Sequence, residues 1–539
     1  MVSGQQTMKT TSRCTLCPAG CELMLASAGP DACRVEYPLQ PVGGCCARGS
    51  ALVELITHTK RILTPTRRYA GSPEAIDLDV AVEAIATAAA DGAVILLDGN
   101  TPPDQIAAAA AWCRSWPGAR LCLVLEPQDQ QLLTGTELSG ADYLAASDLA
   151  DCDGFVIVGD PFAANPACSR GVFDRREQAP RTPIIAIDSA AGTASKFATH
   201  TIPTPPGTEL AALAALAAAA GVQVDEALTA GPTIQCADAA TAITGCERLG
   251  VLVSAEYGRS ANFLQIGYLA GLLAKARGGG VVAATEGSGA LTAVRMARAL
   301  ETISLAEALA EPGATRVAIG CDVLGMLGRS DLSVFAAAAG LPNRTTDAAE
   351  IILPVAMPGE MAGSYPFDGQ APSEIAPLLA PPAGVATPAE LIEKIARAAG
   401  ARELARGESS NPAGRVSGQP AAAVAPGATA DCTVLLYGRN PLHSGCGSLT
   451  GHGGWQQAVQ PRPRLRINPA QARQLGASNL QQVCVSAGER SVEAELVYAD
   501  EVPAGTIVLT DGLLAVRDLN PYGQGGAVSP APVTVSICP

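Results

Sequence analysis

Aromatic residues are scarce in this chain, where Phe, Trp and Tyr make up 4% of 539 residues. The hydrophobic content is 48%, so the interior must pack largely through Ala, Val, Leu and Ile. The chain also lacks a basic excess, since its formal net charge is −15 at pH 7. Nucleic acids and anionic lipids are bound by basic surfaces, so this charge argues against a general nucleic-acid-binding or membrane-surface protein.

Targeting and membrane-spanning segments are not evident in the sequence. The first residues, MVSGQQTMKTTSRC, contain no apolar run of the signal-peptide type and no twin arginine. The Ala-rich segment 210–222 is shorter than the roughly 18 apolar residues that a transmembrane helix needs, and it predicts a buried helix instead. We therefore expect a cytoplasmic protein with no direct membrane span.

Cysteine is too infrequent for a disulfide scaffold, because 17 residues are about 3% of the chain. Four cysteines nevertheless form the pattern C-x2-C-x3-C-x24-C, namely Cys14, Cys17, Cys21 and Cys46. Such thiolates can hold one [4Fe-4S] cluster or one tetrahedral zinc ion. Structural zinc sites more often pair two C-x2-C knuckles, so the compact triplet favours the cluster over zinc and over disulfides.

Strand and helix patterns alternate from about residue 75. Apolar runs such as GAVILLDGN, GFVIVGDP and PIIAIDS end in turn residues and are separated by helical segments. The pattern returns after residue 245 in LGVLVSAEYG, GGGVVAATEGSG and TRVAIGCDVLG. This alternation predicts two doubly wound α/β domains, each with a parallel sheet and helices on both faces.

Ligands of such sheets lie beyond the carboxyl ends of the strands. The turns there contain Gly, Asp and other polar residues, which also have the simpler explanation of turn formation and helix capping. These residues are Asp98, Gly99, Asn100, Gly159, Asp160, Asp188, Ser189, Gly258, Arg259, Glu286, Gly287 and Gly289. None of the turns is a GxGxxG fingerprint or a P-loop, so the pattern locates a ligand site without naming the ligand.

The C-terminal part of the chain has a different pattern. Residues 403–430 are rich in Pro, Gly, Ala and Ser, which is typical of a linker. Short β-runs such as CTVLLYG, QQVCVSAG and GTIVLTD follow and predict a small β-barrel. The predicted domains are a cysteine cap (1–70), two α/β domains (71–245 and 246–402, with interleaving left open), the linker (403–430) and the barrel (431–539).

Several separated segments resemble the molybdopterin oxidoreductase superfamily, in particular formate dehydrogenase large subunits and the large iron–sulfur subunit of respiratory complex I. These segments include CTLCPAGC…CCARG, KRILTPTRR, DLADCDGFVIVGDPFAANPACSRGVF and TTDAAEIILPVAMPGEMAGSYPFDGQ. The C-terminal segment from LRINPAQARQLGASN to GTIVLT is similar to the family's dinucleotide-binding barrel. The resemblance covers nearly the whole chain and implies an N-terminal iron–sulfur cap, two α/β domains and a six-stranded type of barrel.

The resemblance also implies roles for individual residues. The [4Fe-4S] ligands would be Cys14, Cys17, Cys21 and Cys46. Cys45 is a competing fourth ligand, and Arg48 matches the basic residue between cluster and pterin, which implies an electron relay. A molybdopterin guanine dinucleotide with Mo or W would be contacted by Gly159, Asp160, Asp188, Gly207, Gly258, Arg259, Gly438, Arg439 and His443. The basic residues at the end of the cap are interpreted either as a solvated turn or as phosphate partners, and they are Lys60, Arg61, Arg67 and Arg68.

The chain departs from catalytic family members at the loop that supplies the metal ligand. Many members place a Cys, selenocysteine, Ser or Asp there, whereas segment 127–152 has no Cys before Cys152. Ser139, Asp142 and Ser147 are candidate substitutes, but nothing distinguishes one of them. The Cys-His pair of formate dehydrogenases is absent, and His452, beside a Gly-rich turn, is a further candidate cofactor contact.

Two redox functions are therefore expected. The first is an oxidoreductase subunit that passes electrons between a Mo- or W-pterin site and a partner through the cluster, with formate/CO2 as the substrate couple suggested by the family. The second is a family member without the metal cofactor that serves as an electron-transfer or structural subunit of a larger complex. Both imply ferredoxin-like or flavin- or NAD-dependent partner subunits, and a zinc-binding scaffold is the third interpretation.

Overall fold

A computed structural model gives the fold of the chain. It describes residues 8–27, 33–38, 44–69, 71–190, 192–229, 231–367, 372–402, 418–425, 433–443, 447–513, 515–523 and 528–538. Most of the linker expected at 403–430 lies outside these ranges. Among the helices of the described ranges, none is long and apolar enough to cross a bilayer.

The cysteine cap is a three-stranded antiparallel sheet followed by two short helices. Its elements are β1 (Met8–Arg13), β2 (Glu22–Ser27), β3 (Cys33–Glu36), α1 (Ala47–Ser50) and α2 (Leu52–Ile56). Leu23 and Leu52 of the cap share one hydrophobic cluster with Phe155, a residue of the α/β part. The cap is therefore packed onto the α/β part.

The α/β part is built from strands and helices in alternation. Its first elements are β4 (Thr66–Tyr69), β5 (Ser72–Ala75), α3 (Leu78–Ala88), β6 (Ala93–Asp98), α4 (Pro103–Ser115), β7 (Ala119–Val124) and α5 (Pro127–Ser139). Next come β8 (Asp142–Tyr143), β9 (Gly154–Val158), α6 (Pro161–Ala164), α7 (Ala167–Gln178), β10 (Ile184–Asp188), β11 (His200–Pro203), α8 (Glu209–Ala219), α9 (Ala237–Thr244), β12 (Leu249–Ser254), α10 (Phe263–Ala276) and β13 (Gly280–Ala284). The last elements are α11 (Ala290–Ala299), α12 (Leu305–Ala310), β14 (Thr315–Ile319), α13 (Val323–Leu327), β15 (Ala336–Ala339), α14 (Arg344–Ala348), β16 (Ile351–Pro354), β17 (Gly363–Tyr365), β18 (Ser373–Ile375) and α15 (Pro388–Ala398).

Two large sheets result from this chain order. Sheet I has six strands in the order β11-β10-β9-β12-β13-β8, all parallel. Sheet II has seven strands in the order β5-β4-β16-β15-β14-β6-β7, parallel from β16 to β7. The expected α/β fold with parallel sheets is confirmed. Strands buried on both faces need apolar residues throughout, and runs such as Gly154–Val158 supply them.

The two sheets interleave along the chain. Strand β6 pairs with β14, so sheet II takes strands from before and after the segment that forms sheet I. Strand β12 pairs with β9, and β13 pairs with β12 on its other side, so both belong to sheet I. The expected boundary between residues 245 and 246 therefore does not separate the sheets, because strand pairing there joins residues on both sides of it.

The scarcity of aromatic residues has a counterpart in close helix packing. Helices α5 and α10 approach so closely that a Cβ at Gly135 would overlap the carbonyl oxygen of Leu264. A Cβ at Gly267 would likewise overlap the carbonyl oxygen of Leu132. Small residues thus bring two backbones into contact where bulky side chains would hold them apart.

The C-terminal domain is a closed six-stranded barrel, as expected, with strand order β19-β23-β20-β22-β21-β24. Its elements are β19 (Thr433–Gly438), α16 (Gly454–Val459), β20 (Arg464–Ile467), α17 (Pro469–Gln474), β21 (Gln482–Ala487), β22 (Arg490–Tyr498), β23 (Thr506–Thr510) and β24 (Ala531–Ile537). Tyr257, which follows β12, packs edge-on against Tyr437 in the barrel core, with ring centroids 5.2 Å apart. This contact holds the end of β19 over the carboxyl end of sheet I.

Candidate functional site at the seam between the sheets

The carboxyl ends of the two sheets meet in the middle of the molecule. Gly287, just after β13, lies against Asn100, just after β6. The backbone N–H of Glu286 donates to Asp129 at the start of α5, with an N–O distance of 2.7 Å. We call this meeting region, together with the cap and barrel residues that cover it, the seam.

Carboxylates converge on the seam because they recur at the same distance after the ends of several strands. Four of them stand two residues after the last residue of a strand: Glu126 after β7, Asp160 after β9, Glu256 after β12 and Glu286 after β13. Strands with a common direction bring this position to one edge of a sheet. The repeated spacing is visible in the sequence and could have singled out Glu126 and Glu256, which sequence reasoning missed.

The four predicted cluster ligands lie together in the cap. Cys14, Cys17 and Cys21 are buried in and beside the turn between β1 and β2, and Cys46 precedes α1. Burial raises the pKa of Cys14 to about 12, with further contributions from Cys46 and Cys21. Burial also raises the pKa of Cys17, while Arg48 lowers it. The competing ligand Cys45 has an exposed side chain.

The spacing of these thiols differs from that of a single-ion site. They interact electrostatically with one another, yet no three His, Cys, Asp or Glu side chains in the described ranges are grouped so that they could hold one metal ion.

Arg48 connects the cap to the seam. Its side chain is 1% exposed, and its Nη1 lies 3.7 Å from Oε2 of Glu286. Its Nη2 donates to the carbonyl oxygen of Ala164 at 2.5 Å. Burial disfavours the charged guanidinium, but Cys17 and Glu286 outweigh burial and raise the pKa of Arg48. A fixed positive charge thus lies beside the four thiols.

Arg439 continues this chain of charges. Its Nη1 pairs with Glu286, and its Nη2 lies 2.8 Å from Oδ1 of Asp129. Its Nε donates to Oγ of Ser254 at 3.1 Å. Burial raises the pKa of Asp129 to about 7, against the opposing effect of Arg439. The predicted pterin contact Arg439 is therefore already bonded to two carboxylates of the chain.

Arg517, which sequence reasoning also missed, forms a second buried hub. Its Nη1 lies 2.8 Å from Oε2 of Glu126, and its Nη2 lies 2.7 Å from Oδ2 of Asp511. The guanidinium also stacks over the ring of Tyr257, 4.4 Å from its centroid. No local pattern around residue 517 marks it, because Glu126 and Tyr257 come from distant segments and only Asp511 is nearby in the sequence.

Arg259 organises the carboxyl end of sheet I. It forms ion pairs with Asp188, with Glu256 at 3.2 Å and with Glu209 at 3.4 Å. Oε1 of Glu256 accepts the backbone N–H of Asp160 at 2.7 Å. The predicted contacts Asp160, Asp188 and Arg259 are thus brought together, but they bond to one another and to two further acids.

The other predicted pterin contacts surround the same region. Gly159 precedes Asp160, Gly207 lies near Pro530, and Gly258 packs against Tyr437. His443, five residues after Gly438, is 2% exposed, and its Nδ1 lies 3.2 Å from Oγ1 of Thr450. Burial lowers the pKa of His443 to about 4, and Arg48 lowers it further.

Several weaker candidates lie elsewhere or are bonded within the protein. Asp142 pairs with Gly280 at the amino end of sheet I, because α5 carries the chain away from the seam. Ser139, at the end of that helix, donates to the carbonyl oxygen of Thr136, and Ser147 is exposed. The substitute metal ligands considered from the sequence therefore do not face the seam, and Glu126 and Asp129 do.

The remaining basic residues and His452 also have partners in the protein. Arg61 pairs with Glu360 at 2.5 Å, and Arg67 pairs with Glu350 at 2.7 Å. Arg68 donates to two backbone carbonyls, and Lys60 is exposed. His452 lies 2.8 Å from the carbonyl oxygen of Pro342. Arg61 thus ties the end of the cap to the segment after β16, whereas Arg67 and Arg68, on β4, bond to residues just before β16 of sheet II.

A cavity of about 190 Å3 lies at the carboxyl end of sheet II. Its polar lining comprises Thr15, Asp98, Asn100, Glu126, Glu286, Cys321, Asp322, Asn343 and Ser448. Within the described ranges no Arg, Lys or His lines it. Burial raises the pKa of Asp98 to about 6, against hydrogen bonds from Asn100. The cavity is small, and its charged residues are all acidic.

A molybdopterin dinucleotide does not fit this arrangement. Drug-sized ligands occupy pockets of roughly 300–1,000 Å3, and a dinucleotide cofactor is larger than most of them. Its phosphates would meet an acid-lined cavity at sheet II and ion-paired arginines at sheet I.

Comparison with known proteins agrees on the fold. No protein-family model matches the chain, and no curated protein matches it in sequence. Among solved structures, acetylene hydratase from Pelobacter acetylenicus matches with a TM-score of 0.66 and 11% identity, over 98% of this chain and 100% of that one. The chain has the fold of that enzyme. At this identity the similarity extends to the fold alone, and it does not single out formate dehydrogenases.

Proposed function

We propose that the chain is a cytoplasmic electron-transfer subunit built on the molybdopterin oxidoreductase fold. It carries one [4Fe-4S] cluster on Cys14, Cys17, Cys21 and Cys46, and it exchanges electrons with ferredoxin-like or flavin- or NAD-dependent partner subunits. The grouping of these thiols around the buried Arg48 carries the proposal. When bound, the cluster supplies one-electron chemistry, and the chain positions and tunes it.

Arg48 is the residue proposed to tune the cluster. Its guanidinium is buried between the thiols and Glu286, so its charge is poorly screened by water. A nearby cation stabilises the added electron and raises the reduction potential of a cluster. Replacement by Gln should lower the midpoint potential while iron content stays near that of the wild type. Equal loss of iron and signal would instead assign Arg48 a purely structural role.

Ligand identity can be tested with a matched pair of cysteine variants. Cys17→Ser removes one proposed ligand and should abolish the broad visible absorption and the electron paramagnetic resonance signal of the reduced cluster. Cys45→Ser changes the exposed neighbour of Cys46 and should leave both signals intact. Loss of the signals in Cys45→Ser with retention in Cys46→Ser would reverse the assignment of the fourth ligand.

A second candidate function is catalysis by a Mo- or W-pterin oxidoreductase, and formate/CO2 is the substrate couple to try first. The fold shared with acetylene hydratase favours it. It requires the ion pairs of Arg259 and Arg439 to open for the cofactor. Molybdenum or tungsten bound in stoichiometric amount would favour this candidate over the first.

A further inference from the structure

We infer that buried carboxylates of this chain take the place of cofactor phosphates at the carboxyl end of sheet I, so that the chain closes its own nucleotide site. The inference deepens the proposed function by explaining how the fold persists without a dinucleotide. It rests on the ion pairs at the seam and not on the iron–sulfur cluster, so the two can fail separately.

Backbone N–H donors at the carboxyl end of sheet I are already bonded to carboxylates. Phosphates in α/β proteins are bound by backbone N–H groups at strand-to-helix turns and by arginine side chains. At sheet I the N–H of Asp160 is taken by Glu256, at 2.7 Å. The N–H groups of Ala190 and Gly192 are both taken by Asp188, the first at 2.9 Å. Carboxylate oxygens therefore already accept the bonds that phosphate oxygens would need.

The second step concerns charge. Arg259 is paired at this edge with Asp188, Glu209 and Glu256. Asp160 adds a fourth acid, and burial raises the pKa of Asp160 and of Glu209, as expected where acids outnumber cations. Within the described ranges, Oδ1 of Asp160 and Oε2 of Glu209 have no hydrogen-bond donor. The edge has acceptors in excess, so a phosphate would be repelled.

The third step concerns space. Gly159 has a φ of +75°, and a Cβ there would lie 2.6 Å from Oε2 of Glu256. The room that a glycine turn leaves for the approach of a ligand is filled by this carboxylate. Carboxylates of the chain also occupy the second arginine at the seam, because Arg439 pairs with Asp129 and Glu286. Both arginines expected to contact the pterin are occupied in the same way.

The inference is tested by removing carboxylates from the carboxyl end of sheet I. Glu209→Ala combined with Glu256→Ala removes two carboxylates from Arg259 and clears the space over Gly159. The probes are inorganic pyrophosphate and GDP, with heat of binding measured by titration calorimetry on the full chain. We expect the wild type to bind neither probe at millimolar concentration, and the double variant to bind pyrophosphate at least about tenfold more tightly than the wild type. Adding Arg259→Ala should remove that gain.

Controls keep the test decisive. Glu350→Ala with Glu393→Ala removes two acids from exposed ion pairs and should gain no affinity. If the alanine variant does not fold, Glu209→Gln with Glu256→Gln keeps the side-chain size and removes the charge. Tight binding of GDP by the wild type, or a folded variant without any gain, would overturn the inference. Iron content, measured on the same samples, reports separately on the proposed cluster.

Discussion

The two sheets end in acidic turns at the seam, yet one end is filled and the other encloses a cavity. At sheet I, Arg259 draws together carboxylates from three segments of the chain. At sheet II no basic residue of the described ranges lines the cavity, although two of its acids, Glu126 and Glu286, pair with arginines outside the lining. Asp98 accepts the N–H of Asn100 at 3.0 Å, and Asp322 accepts that of Gly325 at 3.2 Å. Arg259 thus gathers the acids at sheet I, whereas the cavity acids Asp98 and Asp322 accept hydrogen bonds from backbone N–H groups.

The largest effect should come from removing that cation. Arg259→Met leaves Asp188, Glu209 and Glu256 buried without their shared partner, which should cost about 3–5 kcal/mol in the free energy of unfolding. Urea denaturation followed by circular dichroism measures it. Arg344→Ala, which breaks a partly exposed pair with Asp518, should cost only about 0–1 kcal/mol. Equal costs would mean that Arg259 does not organise the edge.

A matched pair of glycines compares the space at the two ends. Gly159 and Gly320 have φ values of +75° and +77°, so alanine should strain the backbone equally at both. A Cβ at Gly159 would press on Glu256, whereas a Cβ at Gly320 would lie 3.2 Å from Cβ of Asp98. Gly159→Ala should therefore be less stable than Gly320→Ala by about 1–3 kcal/mol in denaturation experiments. The reverse order would contradict a filled edge at sheet I.

The smallest effect concerns pH at the open end. Burial raises the pKa of Asp98 to about 6 from its usual 3.8. The folded state then holds this proton more tightly than the unfolded state, so the contribution of Asp98 to stability falls as pH rises from about 4 to about 6. Because Asp98 lines the cavity, solvent screening reduces this effect. The loss in the free energy of unfolding should be about 1–2 kcal/mol. In the Asp98→Asn variant, the free energy of unfolding should change less between about pH 4 and about pH 6 than in the wild type. An unchanged pH dependence would exclude Asp98 as the source of the effect.

Much of the fold was predictable because its signals are local. Buried strands such as 154–158 and the cysteine spacing from Cys14 to Cys46 can be read within short windows of sequence. The interleaving of the sheets was left open by the sequence, since the pairing of β6 with β14 joins segments more than 200 residues apart. Long-range pairing of this kind leaves no periodicity in either segment.

The location of the site was predictable from the sequence, but the partners of its side chains were not. Asp160, Asp188, Arg259 and Arg439 do converge at the strand ends, as the α/β pattern indicates. Their occupation by Glu256, Glu209 and Asp129 depends on side chains meeting across two sheets. An acid two residues after a strand end is a usable signal, but only the fold shows which arginine it meets.

The proposed function requires an iron–sulfur cluster on the chain and no pterin cofactor. The most direct measurement combines iron, molybdenum, tungsten and zinc analysis with fluorescence detection of oxidised pterin on one anaerobically purified sample. We expect about four irons per chain, as one [4Fe-4S] cluster requires, with no stoichiometric molybdenum, tungsten, zinc or pterin. One pterin dinucleotide per chain with molybdenum or tungsten, or zinc in place of iron, would contradict it.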